Sequence, residues 1–224
     1  MLNVLYHDAD IAVVEKPSGR PVHPSPGHGT GALTDELVRR FPQMRGVGSA
    51  ERPGVVHRLD VETSGVMVFA LSQRAYLKLR AAFESHAHVR KTYLAVTCGA
   101  PKGRAGTVTE PLVKRADGKR MKVVPPGTPG AQSAVTHWRV LARSGALALV
   151  EFVIETGRTH QIRVHAAALG HPIAGDALYG APPGRRAPGR LLLHAVRLEF
   201  AHPVTGRAMS FESPVPPELA YAAG

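Results

Sequence analysis

The sequence predicts an α+β fold built on a mixed, mostly antiparallel sheet with flanking helices. Three observations lead there: short apolar runs outnumber amphipathic stretches, they come in pairs split by turn residues, and no regular strand–helix–strand alternation runs through the chain. Residues 4–6 and 11–15 read as short strands, the second broken by Lys16-Pro-Ser-Gly19. Residues 17–31 hold four prolines and four glycines and read as a loop. Residues 32–41 carry apolar side chains at 33, 37, 38 and 41, a helical spacing that Pro42 ends. The continuous apolar run 66–71 predicts a buried strand, and Ser72 can cap a helix reaching His86 with Tyr76, Leu79 and Phe83 on one face.

Residues 93–97 form the next strand. Residues 107–113 and 121–124, split by Ala116-Asp-Gly-Lys, predict a hairpin, and 135–142 with 147–155 predict another across Arg143-Ser-Gly-Ala. Residues 159–169 read as a short helix ended by Gly170, residues 180–189 as a Pro/Gly/Arg-rich loop, and 191–200 and 208–212 as the last strands. No internal repeat or long linker divides the chain, so a single domain over residues 1–224 is expected.

Composition bounds the function. Apolar residues make up 44% and charged residues 20% of 224, which suffices for a core without metal or disulfide staples. The excess of 28 Lys and Arg over 17 Asp and Glu, a formal charge of +11, points to a polyanionic partner. Cys98 is the only cysteine, which excludes a disulfide framework and a zinc finger; at the end of an apolar run it reads as a core thiol. The first residues lack a basic, cleavable leader, and no window approaches ~18 consecutive apolar residues. A cytoplasmic protein without membrane contact is expected.

Generic chemistry signals fail. Gly27-x-Gly29-x-x-Ala32 fits a loose dinucleotide pattern but follows His-Pro-Ser-Pro rather than a buried strand. Gly118-Lys119-Arg120 lacks the hydroxyl and upstream glycine of a phosphate loop, and no Gly-x-Ser-x-Gly elbow occurs. The twelve histidines lack metal-ligand spacing and accompanying carboxylates, so no metal is expected.

Two dense polar segments remain. His57-Arg-Leu-Asp60-Val-Glu-Thr63-Ser-Gly65 places a carboxylate in a turn before a buried strand, where Arg58 can hold it ionised. For a lone Asp, the blander reading is a turn residue capping its own backbone. Gly157-Arg-Thr-His-Gln-Ile-Arg163-Val-His165 crowds Arg158, His160, Arg163 and His165 onto a short helix, a mixture uncommon on a merely solvated face. His-Arg-Leu-Asp-x-x-Thr-Ser-Gly and Gly-Arg-Thr-His-Gln-Ile-Arg-x-His resemble the signatures of the RluA-type RNA pseudouridine synthases. Lys16-Pro-Ser-Gly19 with Val22-His23-Pro24, Lys91-x-Tyr93-x-Ala95, Gly175-Asp-x-x-Tyr-Gly180 and Leu193-His-Ala195 add to the likeness. They follow the family's order and cover nearly the whole chain.

The resemblance implies the pseudouridine synthase fold, a long mixed sheet with a central cleft, and isomerisation of uridine within RNA without metal or cofactor. Asp60 matches the catalytic aspartate, Tyr93 the tyrosine lying against the uracil, and Arg163 the basic residue paired with the aspartate. Ile162 matches an aliphatic residue bordering the base, and Arg58 an arginine filling the gap left by the flipped nucleotide. His57 and Arg158 join them at the substrate, with His57, Thr63, Ser64 and Gly65 shaping the aspartate loop; Asp176 and Tyr179 are assigned structural roles. Leu71 stands where the family usually has a lysine, and the motifs begin close to Met1, which implies a stand-alone catalytic domain without an S4 module.

Two basic segments are candidates for phosphate contacts. Residues 101–124 carry seven Lys or Arg, including Lys114, Lys119 and Arg120, against Glu110 and Asp117; residues 184–197 carry Arg185, Arg186, Arg190 and Arg197 with no acid. Structured ribosomal or transfer RNA is the expected partner of a monomer. A non-catalytic RNA-binding protein on the same scaffold is the competing reading. A glycosidic hydrolase would need a second carboxylate, for which only Glu62 is near.

Overall fold

The computed structural model describes residues 2–24, 31–86, 88–180 and 190–220. In chain order the elements are β1 (Asn3–His7), β2 (Ile11–Lys16), α1 (Leu33–Arg40), a 3-10 turn (Pro42–Gly46), β3 (Gly48–Ser49), β4 (Arg52–Pro53), β5 (Ser64–Ala70), α2 (Gln73–Ser85) and β6 (Arg90–Cys98). There follow β7 (Ala105–Val108), β8 (Leu112–Lys114), β9 (Met121–Val123), β10 (Thr136–Ser144), β11 (Leu147–Ile154), α3 (Gln161–Ala168), β12 (Leu193–Ala201), β13 (Ala208–Glu212) and α4 (Pro217–Ala220). The result is an α+β fold, strand-rich with few helices, as its pattern of paired apolar runs predicts. Two compact units divide it: Met1–Arg90 with Ala195–Pro214, and Lys91–His194 with Val215–Gly224. None of the described helices is long and apolar enough to cross a membrane.

In the first unit β1, β2, β5 and β12 stand side by side, with β13 on β12. β2 runs antiparallel to β5 from Ile11 opposite Ala70 to Lys16 opposite Gly65. Every residue of β5 is buried, which explains an apolar run without alternation. Ser72 caps α2 as expected, its hydroxyl accepting the Ala75 N–H at 3.3 Å. Leu79 and Phe83 of α2 join Ile11, Val13, Val66, Val68, Leu198 and Phe200 in one core. Asp10 locks the helix start by accepting from the Ser72 hydroxyl and both Nε and Nη2 of Arg74, contacts that hold its carboxyl below the ordinary range.

In the second unit β6, β11, β10 and β7 lie in that order, antiparallel at each step. Cys98 is a buried thiol beside Val96, Leu149 and Leu219, the core role its sequence context predicts. The hairpin expected over 107–113 and 121–124 divides. β8 pairs with β9, Leu112 opposite Val123, while β7 leaves to pair with β10, Thr136 opposite Val108. Thr109-Glu110-Pro111 makes the break, since Pro111 has no N–H to continue a ladder. The helix expected from 159 starts at Gln161, because His160 adopts a left-handed φ of 55°. The 3-10 turn, the two-residue strands β3 and β4, and α4 are too short to carry a periodic signal.

Candidate active site

The aspartate loop belongs to the first unit and is clamped from the Lys16-Pro-Ser-Gly19 segment. Fully buried Lys16 donates its ammonium to the carbonyls of Val61, at 2.8 Å, and Pro17, at 3.0 Å. Gly19 N–H donates to the same Val61 carbonyl and the Ser18 hydroxyl to that of Glu62. Thr63 N–H closes the turn onto the Asp60 carbonyl at 3.1 Å. Asp60 is thus presented half-buried, with its neighbours fixed through their backbones. Gly65, at φ 125°, allows β5 to approach β12: a Cβ there would lie 2.2 Å from the Ala195 carbonyl oxygen.

His57 is built into the same loop. Its ring stacks on Phe83, centroids 4.5 Å apart, and Nε2 accepts the Val68 N–H at 3.1 Å. Arg58 is exposed between His57 and buried Leu59, outside the core.

The second unit holds the other signature. Tyr93 is buried on β6 opposite Phe152 of β11, and Lys91, two residues earlier, shares its face. Lys91 donates to the carbonyls of Glu155 and Thr156; burial, then the charge of Arg158, pushes its pKa down to about 8. Ile162, Arg163, Gln161 and His165 are all buried on α3, so this is no solvated face. Gln161 accepts from the Thr156 hydroxyl and the Arg158 N–H, and donates to Val135 O and Thr136 Oγ1. His165 bridges Thr136 Oγ1 and the Glu110 carbonyl; the carbonyl can only accept, so Nε2 carries the proton. Burial lowers its pKa, keeping the ring neutral. Arg158, half-buried, also donates through Nε to Ser133 O at 3.0 Å.

Arg163 makes a bidentate pair with Asp176, Nε and Nη2 each 2.8 Å from an oxygen, both side chains almost wholly buried. Its guanidinium lies 5.3 Å from the ring centroid of Tyr179. Asp176 and Tyr179, expected from the sequence to be structural, both contact the motif arginine, which their own positions in the sequence do not show. The Gly175-Asp-x-x-Tyr-Gly180 match is the signal that marks them.

The β8–β9 hairpin carries Lys114, Arg115, Lys119 and Lys122 exposed on it, an array of solvent-facing cations. Asp117 organises the connecting turn by accepting the Arg120 and Lys119 N–H groups and Arg120 Nε, which holds its carboxyl well below the usual range. Of the other basic segment, Arg185 and Arg186 lie outside the described residues; Arg190 meets Glu218 and Arg197 meets Glu212.

A family profile described as RNA pseudouridylate synthase matches residues 10–168. An RNA pseudouridine synthase of Synechocystis is 42% identical over 218 residues, covering 96% of this chain and 66% of its own length. The ribosomal large subunit pseudouridine synthase D of Zymomonas mobilis is 34% identical over 229 residues, covering 97% and 70%. The chain therefore spans about two thirds of the length of these relatives. The solved structure of human RNA pseudouridylate synthase domain containing 4 superposes with a TM-score of 0.78 at 30% identity, covering 98% of this chain and 91% of that one. The fold and motifs are those of an RNA-modifying isomerase class. This chain belongs to the RNA pseudouridylate synthase family.

Proposed function

We propose that this chain isomerises specific uridines to pseudouridine in structured RNA, with Asp60 as the catalytic aspartate. The observation that carries the reading is the aspartate loop: a half-buried carboxylate whose flanking carbonyls are fixed by Lys16, Ser18 and Gly19, in a chain of this family. A base cannot be rearranged inside a stack, so the target uridine is flipped out, at a cost of a few kcal/mol offset by stacking and arginine contacts. Asp60 then attacks the ribose, displacing the uracil, or removes a proton from it so that the glycosidic C–N bond breaks; the uracil turns and rejoins through carbon as the aspartate is released or the ribose proton returned, that carbon loses its proton, and the ring nitrogen gains one. Tyr93 lies against the uracil, Arg163 supports the reacting carboxylate, Ile162 borders the base, and Arg58 fills the vacated stack. His57 and Arg158 shape the surroundings. The cations Lys114, Lys119 and Arg120 hold phosphates, which positions the RNA without reading its sequence.

Residues 1–224 act in this reading as one catalytic domain, monomeric and cytoplasmic, using no cofactor. The Zymomonas relative's name favours large-subunit ribosomal RNA as substrate over transfer RNA. The test is pseudouridine mapping in RNA from cells lacking this protein, restored with wild type or Asp60→Asn. Sites restored only by the wild type are the expected result and name the substrate. No restored site, with RNA binding intact, would move the assignment to a non-catalytic RNA-binding protein.

A further inference from the structure

Residues 175–180 do more than fill space beside α3. The Asp176 carboxylate that grips Arg163 also accepts the N–H groups of Leu178, at 2.9 Å, and Tyr179, at 3.1 Å. One buried group therefore fixes both the arginine and the turn that presents Tyr179. The tyrosine ring packs against the guanidinium, and its hydroxyl leaves in two other directions. It accepts the N–H of Met121, the first residue of β9, at 2.9 Å, and lies 2.8 Å from His160 Nδ1. The Tyr179 hydroxyl thus bridges the Met121 backbone and the His160 ring, with the tautomer of His160 setting which partner donates in the second bond. His160 holds a left-handed backbone conformation that a non-glycine residue keeps only when its surroundings enforce it. The edge-on contact with the Tyr179 ring, centroids 5.6 Å apart, is part of that enforcement. Val164 of α3 and Tyr179 also pack with Leu112 and Met121 in one small apolar cluster, so the hairpin root and the arginine helix share a core.

Tyr179 thus stands between the hairpin strand β9 on one side and both His160 and Arg163 on the other. We propose that Tyr179 is a positioning residue that ties the basic β8–β9 hairpin to Arg163, so that RNA seated on the hairpin fixes residues 158–163 in their working arrangement. The proposal rests on the reading that the hairpin meets RNA and that Arg163 serves the reaction. It differs from a purely structural role in making the order of one segment depend on occupancy of another.

The experiment is hydrogen–deuterium exchange on the full chain, with and without transcribed large-subunit ribosomal RNA, which is free of pseudouridine. In the wild type, RNA protects residues 112–123 and the protection spreads to 158–163. In Tyr179→Phe, which keeps the ring on Arg163 and deletes the hydroxyl, 112–123 stay protected and the gain at 158–163 disappears. In turnover assays kcat falls about tenfold, because residues 158–163 are no longer fixed when RNA is bound, while KM stays within about twofold. His160→Ala removes the Tyr179–His160 leg alone and must reduce the gain at 158–163 while 112–123 stay protected, which covers the case of a poorly folded Tyr179→Phe. A lower melting temperature with undiminished protection of 158–163 means that Tyr179 is only structural and overturns the proposal. Absence of RNA protection at 112–123 in the wild type overturns it as well. Tyr179-dependent spreading in a wild type that forms no pseudouridine would keep the coupling and discard the reading of the reaction.

Discussion

Replacing Asp176 with Asn tests how much of the arginine's placement depends on the buried pair. The change is nearly isosteric, so packing is preserved and only charge and hydrogen bonding alter. Oδ1 of Asp176 accepts from Arg163 Nη2 and from the N–H groups of Leu178 and Tyr179; Oδ2 accepts from Arg163 Nε. If the Asn oxygen takes the Oδ1 position, its NH2 faces the Nε–H donor. If it takes the other, the NH2 faces three donors at once. The first arrangement loses one charge-assisted bond, worth about 1.5–3 kcal/mol, and takes the Asp176 charge from beside Arg163, whose side chain is only 3% exposed. Breaking a buried pair by removing one partner costs about 3–5 kcal/mol, so a loss near 3 kcal/mol is expected. The assay is urea unfolding followed by the fluorescence of Trp138, the only tryptophan and a buried residue of the same unit. A fall in the midpoint at constant slope reads as lost stability. A change below about 1 kcal/mol would show that the carboxylate is not needed to hold Arg163, and the orienting role of the pair would fall with it.

Four further outcomes are expected. Lys114→Ala, Lys119→Ala and Lys122→Ala, combined, weaken RNA binding and reduce the slope of log affinity against log salt by about 0.7–0.9 for each phosphate that is no longer neutralised; an unchanged slope in filter binding removes the hairpin as a phosphate surface. Gly65→Ala costs more than about 3 kcal/mol or prevents folding, because its methyl group meets the Ala195 carbonyl, whereas Gly145→Ala, at φ 55° with open space around it, costs about 1 kcal/mol of backbone strain; equal melting temperatures would refute the contrast. Lys91, with its folded pKa lowered to about 8, binds its proton less readily folded than unfolded. Stability therefore rises between pH 8 and about 10.5, by roughly 3 kcal/mol at ~1.4 kcal/mol per unit, a rise that unfolding curves should no longer show in Lys91→Met. His165 has a lowered pKa from burial, so its share of stability is lost as pH falls below about 6.5, and His165→Gln should flatten the unfolding free energy in that acid range.

What the sequence discloses, and what it hides, follows from the range of the forces involved. β5 and α2 are legible because burial on both faces and an N-cap leave local marks: an unbroken apolar run and a Ser at the helix start. The aspartate loop is legible as a motif, but its clamp is not, since the Lys16 ammonium meets a carbonyl 45 residues away and a backbone acceptor leaves no trace in side-chain pattern. The departure of β7 from its expected hairpin is a choice between two antiparallel partners, β8–β9 or β10, that local propensity does not rank. Asp176 is the sharpest case. By itself Asp-x-x-Tyr reads as an Asx turn, and the turn is there, with the carboxylate accepting Leu178 and Tyr179 N–H groups. An ionised carboxylate has more acceptor sites than a turn uses, and burying it without a cation is expensive. The bidentate arginine satisfies both conditions, and in this chain that arginine belongs to the second motif. Local chemistry thus sets the demand for a buried cation, while the fold alone determines that Arg163 meets it.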